Sequence, residues 1–188
     1  MKIIYKSLKP AIVLFLCMTV ICGIVYTGIV TVFAQLVFPY QANGSMISVT
    51  LRDGTKVSYG SERIAQEFSQ AKYLIGRPQG VTNLSSVSKE LETLVQKRML
   101  WLKSLDPGNE QEIPQDLLTS SGSGADPYIS PAAADYQVPR IAKSRGISEQ
   151  LVKTMIDQCT AAKFLGLWGE EGVNVLIVNL ALDGLVDP

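Results

Sequence analysis

The sequence predicts an α+β protein, with a single N-terminal transmembrane helix followed by one mixed extracytoplasmic domain. Two observations predict it. Pro10 to Phe38 is mostly apolar and uncharged, and no charged residue occurs anywhere between Lys9 and Arg52. Behind that stretch, helical and strand-like patterns follow one another without the regular alternation of a βαβ fold. The formal net charge is +0, from 17 basic and 17 acidic residues, whereas nucleic-acid binders carry a strong basic excess.

A helix rises about 1.5 Å per residue, so about 20 apolar residues cross the roughly 30 Å hydrocarbon core of a bilayer. Pro10 to Phe38 is long enough, and a helix satisfies its own backbone there. Lys2, Lys6 and Lys9 precede it, and the first charges after it are the mixed pair Arg52 and Asp53. The positive-inside tendency places residues 1–9 in the cytoplasm, 10–38 across the inner (plasma) membrane, and 39–188 outside it, in the periplasm or extracellular space. Tyr26 and Phe38-Pro39-Tyr40 fit interfacial aromatics. Gly23 and Gly28 are five apart, which is not the small-xxx-small spacing of close helix pairs. A cleaved signal peptide ending at Val32-Phe33-Ala34 is the rival reading. Its apolar region runs about 7–15 residues, and the run here is longer.

Met46 to Leu51 alternates, Asp53-Gly54 follows, and Thr55 to Tyr59 is again β-like. That pattern predicts a hairpin. Gly60 to Ser69 is expected to open with a short helix or a bend, with Ser61 as cap. Lys72 to Pro78 reads as a short extended run ending in a turn. Ser85 to Leu105 has helical spacing, with Val87, Leu91, Leu94, Val95, Leu102 and Leu105 on one face. Lys89, Glu90, Glu92, Lys97, Arg98 and Lys103 form its expected solvated face. Asp106-Pro107-Gly108-Asn109 ends it, and Ile113 to Thr119 allows another short helix. Ser130-Pro131 starts a helix running toward Ser144, which Pro139 must kink or restart. Basic residues Arg140, Lys143 and Arg145 suit that helix's C-terminus, and Gly146 terminates it. Ser148 caps the next helix, Glu149 to about Ala161, with Leu151, Val152, Met155, Ile156 and Cys159 inside. Phe164 to Gly172 is a glycine-punctuated link. Val173 to Leu182 reads as a buried strand, or a strand leading into a last turn, and its β-branched residues favour the strand.

The inventory of reactive groups is narrow. The sequence contains no histidine, which removes the usual general base and the commonest metal ligand. Cys17 and Cys22 lie in the apolar stretch without the small-residue pattern of a lipoprotein site. Cys159 has no histidine to activate it. The stretch Leu118 to Pro131 (LTSSGSGADPYISP) is the most unusual. A Gly/Ser-rich loop leading to a helix can turn backbone amides toward an anion. It lacks the G-x-x-x-x-G-K-[ST] spacing of a phosphate loop, and no lysine occurs between Lys103 and Lys143. Composition alone makes it an ordered structural loop.

The order of segments carries a resemblance. FPYQANGS leaves the apolar stretch, Gly76-Arg77-Pro78 forms a corner, TSSGSGADPYISPAAADYQVPRIAKSRGIS follows, and the chain closes on GEEGVNVLIVNLALD. This resembles the KdpC family, the C subunit of the Kdp-type potassium-importing P-type ATPase, over nearly the whole chain. The resemblance implies an accessory, non-catalytic subunit of an ATP-driven potassium importer, needed for assembly and activity. It implies as partners a channel-like potassium-binding subunit, a P-type ATPase subunit, a small stabilising subunit and membrane lipid, with no nucleic acid. The family is described as a catalytic chaperone that raises the ATP affinity of the ATPase subunit. Ser121, Gly122, Ser123, Gly124, Asp126, Pro127, Ser130 and Pro131 stand where the family signature has the same kinds of residue, as do Gln137, Arg140 and Gly146. If ATP is contacted by the chain, the resemblance points to that loop. The family usually has histidine where Tyr128 stands and near Cys159, and its Tyr/Gly-rich insertion is here only Gln79 to Ser86.

Topology limits the nucleotide reading. A loop outside the membrane cannot reach cytoplasmic ATP across roughly 30 Å of hydrocarbon, so any effect on ATP affinity would pass through the complex. Two rival readings are a membrane-anchored extracytoplasmic enzyme using Asp126, Ser121 and Glu170 or Glu171, and a secreted binding domain released after Ala34.

Overall fold

The computed structural model describes residues 2–163 and 166–187, with the backbone only at 2–5. Phe164 and Leu165 of the expected glycine-punctuated link lie outside the described residues. The chain divides into two compact units, Met1–Met46 and Ile47–Pro188.

The first unit is a long helix and its exit segment. Helix α1 (Lys2–Val20) passes through a π-helical turn at Ile21–Tyr26 into α2 (Thr27–Val37). The expected boundary at Pro10 is not a helix start, because Pro10 lies inside α1. Lys6–Val37 is long and apolar enough to cross a membrane, and none of its most apolar window is buried within the chain. The π-turn is where Thr27 Oγ1 donates to the Cys22 carbonyl, five residues back, at 3.0 Å. Phe38 breaks the helix with φ −132°, and Pro39 opens the one-turn α3 (Pro39–Ala42).

The second unit opens with a hairpin of β1 (Met46–Thr50) and β2 (Lys56–Ser61). Its turn is set by Asp53, which accepts from Thr55 N at 2.9 Å, and by Gly54 at φ +84°. The segment after Ser61 is a bend and not a helix. Ser61 Oγ accepts from Arg63 N at 3.1 Å, and the chain then runs irregularly to Ser69.

Helix α4 is Lys89–Leu105, capped by Ser88, whose side chain accepts from Leu91 N. It starts later than the expected Ser85, and Val87 precedes it and is 89% exposed. Helix α5 is the single turn Gln115–Leu118. Strand β3 (Tyr128–Ile129) leads into α6 (Pro131–Asp135), capped by Ser130. Pro139 restarts the helix as α7 (Val138–Arg145), which Gly146 ends in the left-handed region at φ 68°. Ser148 caps α8 (Glu149–Gln158). Its buried side chains are Val152 and Ile156, whereas Leu151 is exposed.

Strands β4 (Thr160–Ala161) and β5 (Gly172–Asn174) complete a three-stranded antiparallel sheet in the order β3-β5-β4. Helix α9 (Val175–Leu182) follows β5 directly. Of the favoured strand over Val173 to Leu182, only Val173 and Asn174 are extended, and the rest is helix. Asn174 N-caps the helix by accepting from Ile177 N, and six of its eight residues are buried. A helix buried all round has no polar face, so its apolar run cannot be told from a buried strand by periodicity. The core joins α9 and β5 to Ile141, Val152, Ile156, Leu117 and the extended pair Leu74-Ile75.

Candidate functional site

The Ser/Gly loop is wired to itself and to its neighbours. Gly124 N donates to both the Ser121 carbonyl (3.1 Å) and Ser121 Oγ (3.0 Å). Ala125 N donates to Ser123 Oγ (3.2 Å), and the Ser121 and Ser123 hydroxyls lie 3.3 Å apart. Tyr128 N donates to Asp126 Oδ1 (3.0 Å), an Asx turn. Three carbonyls of the loop tie it outward. Gly124 O accepts from Gly80 N (2.8 Å), Ala125 O from Ala65 N (2.9 Å), and Pro127 O from Val175 N (3.0 Å).

Gly124 is required for that packing. Its φ is +67°, and an added Cβ would lie 2.5 Å from the Gly80 carbonyl carbon. Gly122 is the opposite case, exposed and with nothing within 4 Å of an added Cβ. At the end of the loop Ser130 does two jobs. Its Oγ accepts from Ala133 N (3.1 Å) to cap α6, and its own N–H donates to Asp116 Oδ2 (2.7 Å). Pro131 follows at the first turn of α6. Burial pushes the Asp116 carboxyl up, but the Ser130 N–H and the charge of Arg77 outweigh it and leave Asp116 below its ordinary range.

The candidate residues do not share one cleft. Ser121 and Gly122 line a cleft of about 780 Å³ with Leu91, Leu94, Arg98 and Trp101 of α4. Asp126, Glu170 and Glu171 line another of about 330 Å³, with Arg77, Asp116 and Ser130. The constellation proposed for an anchored enzyme is therefore split, with Ser121 facing one cleft and the carboxylates the other. Among the described residues no group of three His, Cys, Asp or Glu side chains could hold a metal ion. Cys159 is half-buried, and desolvation pushes its thiol up, which keeps it protonated.

Beside the loop runs a second irregular segment, residues 71–77, which is held by side chains from afar. Asn179 grips Leu74 at both ends: Leu74 N donates to Oδ1 (2.7 Å) and Nδ2 donates to Leu74 O (2.9 Å). Gln137 grips Ile75 in the same way, at 2.8 and 3.0 Å. Arg140 donates to Gln137 Oε1 (2.6 Å) and to the Ala71 carbonyl. Arg145 donates to Lys72 O (2.7 Å) and Leu182 O (2.6 Å), and forms an ion pair with Asp183 at 2.8 Å. Arg98 donates to Gly76 O (3.0 Å) and Leu117 O (3.1 Å), with its guanidinium 4.3 Å from the Trp101 ring centre. Desolvation brings the Arg140 guanidinium down to about 10.

Arg98, Arg145 and Asn179 do not stand out in the sequence. Arg98 was expected on a solvated face, but it is half-buried and spends its donors on backbone carbonyls. Arg140 and Arg145 were expected to serve the end of their own helix, and they reach across to residues 71 and 72 instead.

Comparison with known proteins bears on what this wiring serves. The family described as KdpC: K+-transporting ATPase, c chain, matches residues 8–184. A protein of Listeria innocua serovar 6a named Potassium-transporting ATPase KdpC subunit is 50% identical over 188 residues, covering 98% of this chain and 99% of the relative. The protein of the same name from Listeria monocytogenes serovar 1/2a is 52% identical with the same coverage. Its counterpart in Clostridium perfringens is 47% identical over 205 residues, covering 99% of each chain.

Proposed function

The chain belongs to the KdpC family, the c chains of K+-transporting ATPases, and from that premise we propose the part it plays. It is an accessory subunit of a Kdp potassium-transporting ATPase, and it carries one helix fit to cross a membrane. Its own role is non-catalytic. It braces a channel-like potassium-binding subunit, a P-type ATPase subunit and a small stabilising subunit, with lipid around its helix. Lys2, Lys6 and Lys9, at the amino end of the helix and ahead of its charge-free run, favour a cytoplasmic amino end and an external domain.

One observation carries the reading against bound nucleotide. The amides of Gly124, Ala125, Tyr128 and Ser130 are spent on Ser121, Ser123, Asp126 and Asp116 and are not open to an anion. The loop serves as a shaped surface, and an influence on ATP affinity travels through the complex rather than through bound nucleotide.

Two experiments test this. A tagged chain purified from membranes should bring the three other subunits with it, and recovery as a stable solitary protein would refute the accessory role. Gly122→Cys should react with a membrane-impermeant thiol reagent on intact cells. Labelling only after the membrane is opened would place the loop inside and restore direct nucleotide contact. Cross-linking of the chain by photoreactive ATP in the complex would likewise overturn the indirect route.

A further inference from the structure

We propose that Asn43-Gly44, at the exit of the long apolar helix, is a latent deamidation site that the folded exit segment holds shut through Gln35. Asn-Gly is the dipeptide most open to this chemistry, because glycine places no side chain beside the attacking nitrogen. Both residues are exposed. The other four asparagines are followed by Leu84, Glu110, Val175 and Leu180, whose side chains obstruct the same attack.

The step balances without any oxidant or reductant. The Gly44 nitrogen attacks Asn43 Cγ and forms a C–N bond. The Gly44 nitrogen gives up its proton, and the side-chain nitrogen leaves as ammonia. Water then opens the five-membered ring at either carbonyl, giving aspartate or isoaspartate.

The folded geometry opposes each requirement. Ring closure needs the Gly44 nitrogen to eclipse Asn43 Cβ about the Cα–C bond. At ψ 22° that nitrogen is nearly eclipsed with Asn43's own nitrogen instead. The Asn43 amide is held by donation to Pro39 O (2.6 Å) and Gln35 Oε1 (3.0 Å), and it accepts from Gln35 Nε2 (3.3 Å). The attacking N–H is itself engaged with Gln41 O at 3.0 Å. The turn is closed further by Ser45 N on Tyr40 O (2.9 Å) and by Phe33 packed edge-on against Phe38 at 6.4 Å. Deamidation therefore requires the exit turn to open. Its product removes the Nδ2 donor and adds a carboxylate, and the isoaspartate form adds a methylene to the main chain. The turn cannot re-form as before, so the modification records opening irreversibly.

The test ages the full chain in detergent micelles at mildly alkaline pH and follows residue 43 by peptide mass spectrometry. In the native chain, conversion at Asn43 should be at least about tenfold slower than in the same chain unfolded in denaturant, since the hydrogen bonds that hold the turn must break first. Gln35→Ala should raise the native rate several-fold, and Gln35→Glu, which keeps an acceptor but loses the donor, should fall between. Circular dichroism confirms that each variant keeps its helix. Equal rates in native and unfolded chain would overturn the proposal, and so would a folded Gln35→Ala that converts no faster than the parent.

Discussion

The Ser/Gly loop and residues 71–77 both lack a regular backbone ladder, and they are held in opposite ways. Inside the loop, each hydroxyl or carboxylate bonds an amide two or three residues on, as Ser121, Ser123 and Asp126 do. In residues 71–77 the backbone of Leu74 and Ile75 is completed by side chains 105 and 62 residues away. Local wiring shapes the loop from within, and three of its carbonyls then fasten it to Ala65, Gly80 and Val175. Remote wiring makes one segment the place where α4, α7 and α9 are tied together. The two should respond differently to damage.

The largest effect is expected at the remote end. Gln137→Ala removes both bonds to Ile75 and strips Arg140 of an acceptor, leaving a buried guanidinium and two buried backbone groups short of partners. The loss should be about 3–5 kcal/mol, the range for breaking a buried charged network. Denaturant unfolding of the full chain in micelles, followed by tryptophan fluorescence, measures it. A loss comparable to a surface substitution would show that the clamp is dispensable.

Within the loop, the two glycines should separate. Gly124→Ala drives a Cβ into the Gly80 backbone at a positive φ, and about 2–4 kcal/mol is expected from strain and overpacking together. Gly122→Ala meets open space, and its change should stay within about 0.5 kcal/mol. If Gly122→Ala nevertheless impairs the assembled pump while stability is unchanged, the loop's exposed tip is a contact surface. If both variants behave alike, the loop is not fastened as described.

Much of the fold is legible because it is written in neighbours. Ser130 and Ser148 announce their helices, Pro139 restarts one, Gly146 ends one, and Asp53-Gly54 turns a hairpin. Helix α9 is not legible, since burial on all sides erases its period. The clamp is not legible either. A glutamine, an asparagine and three arginines scattered from residue 98 to 179 have no shared spacing, and only the folded chain brings them to one strip of backbone. The Ser/Gly loop was legible as unusual, but spacing could not tell an anion cradle from a loop whose amides at Gly124, Ala125, Tyr128 and Ser130 are taken.

A smaller effect tests whether Ser130 is a cap before anything else. Ser130→Ala removes the acceptor for Ala133 N and should cost about 1 kcal/mol. The Ser130 N–H to Asp116 bond survives this change, so Ser130→Ala and Asp116→Asn should each cost something separately.

Asp116 gives the effect that depends on pH. Its folded carboxyl lies below the ordinary 3.8, so the folded state favours the ionised form. The stabilisation is therefore complete above 3.8 and is lost as pH falls through the lower, folded value. The carboxylate is largely solvent-screened, which limits the contribution to about 1 kcal/mol or less. At neutral pH the parent should be more stable than Asp116→Asn by that margin, and the two unfolding curves should converge as pH drops below 3.8. A gap that persists in strong acid would mean that shape at the start of α6, rather than charge, holds Ser130 in place.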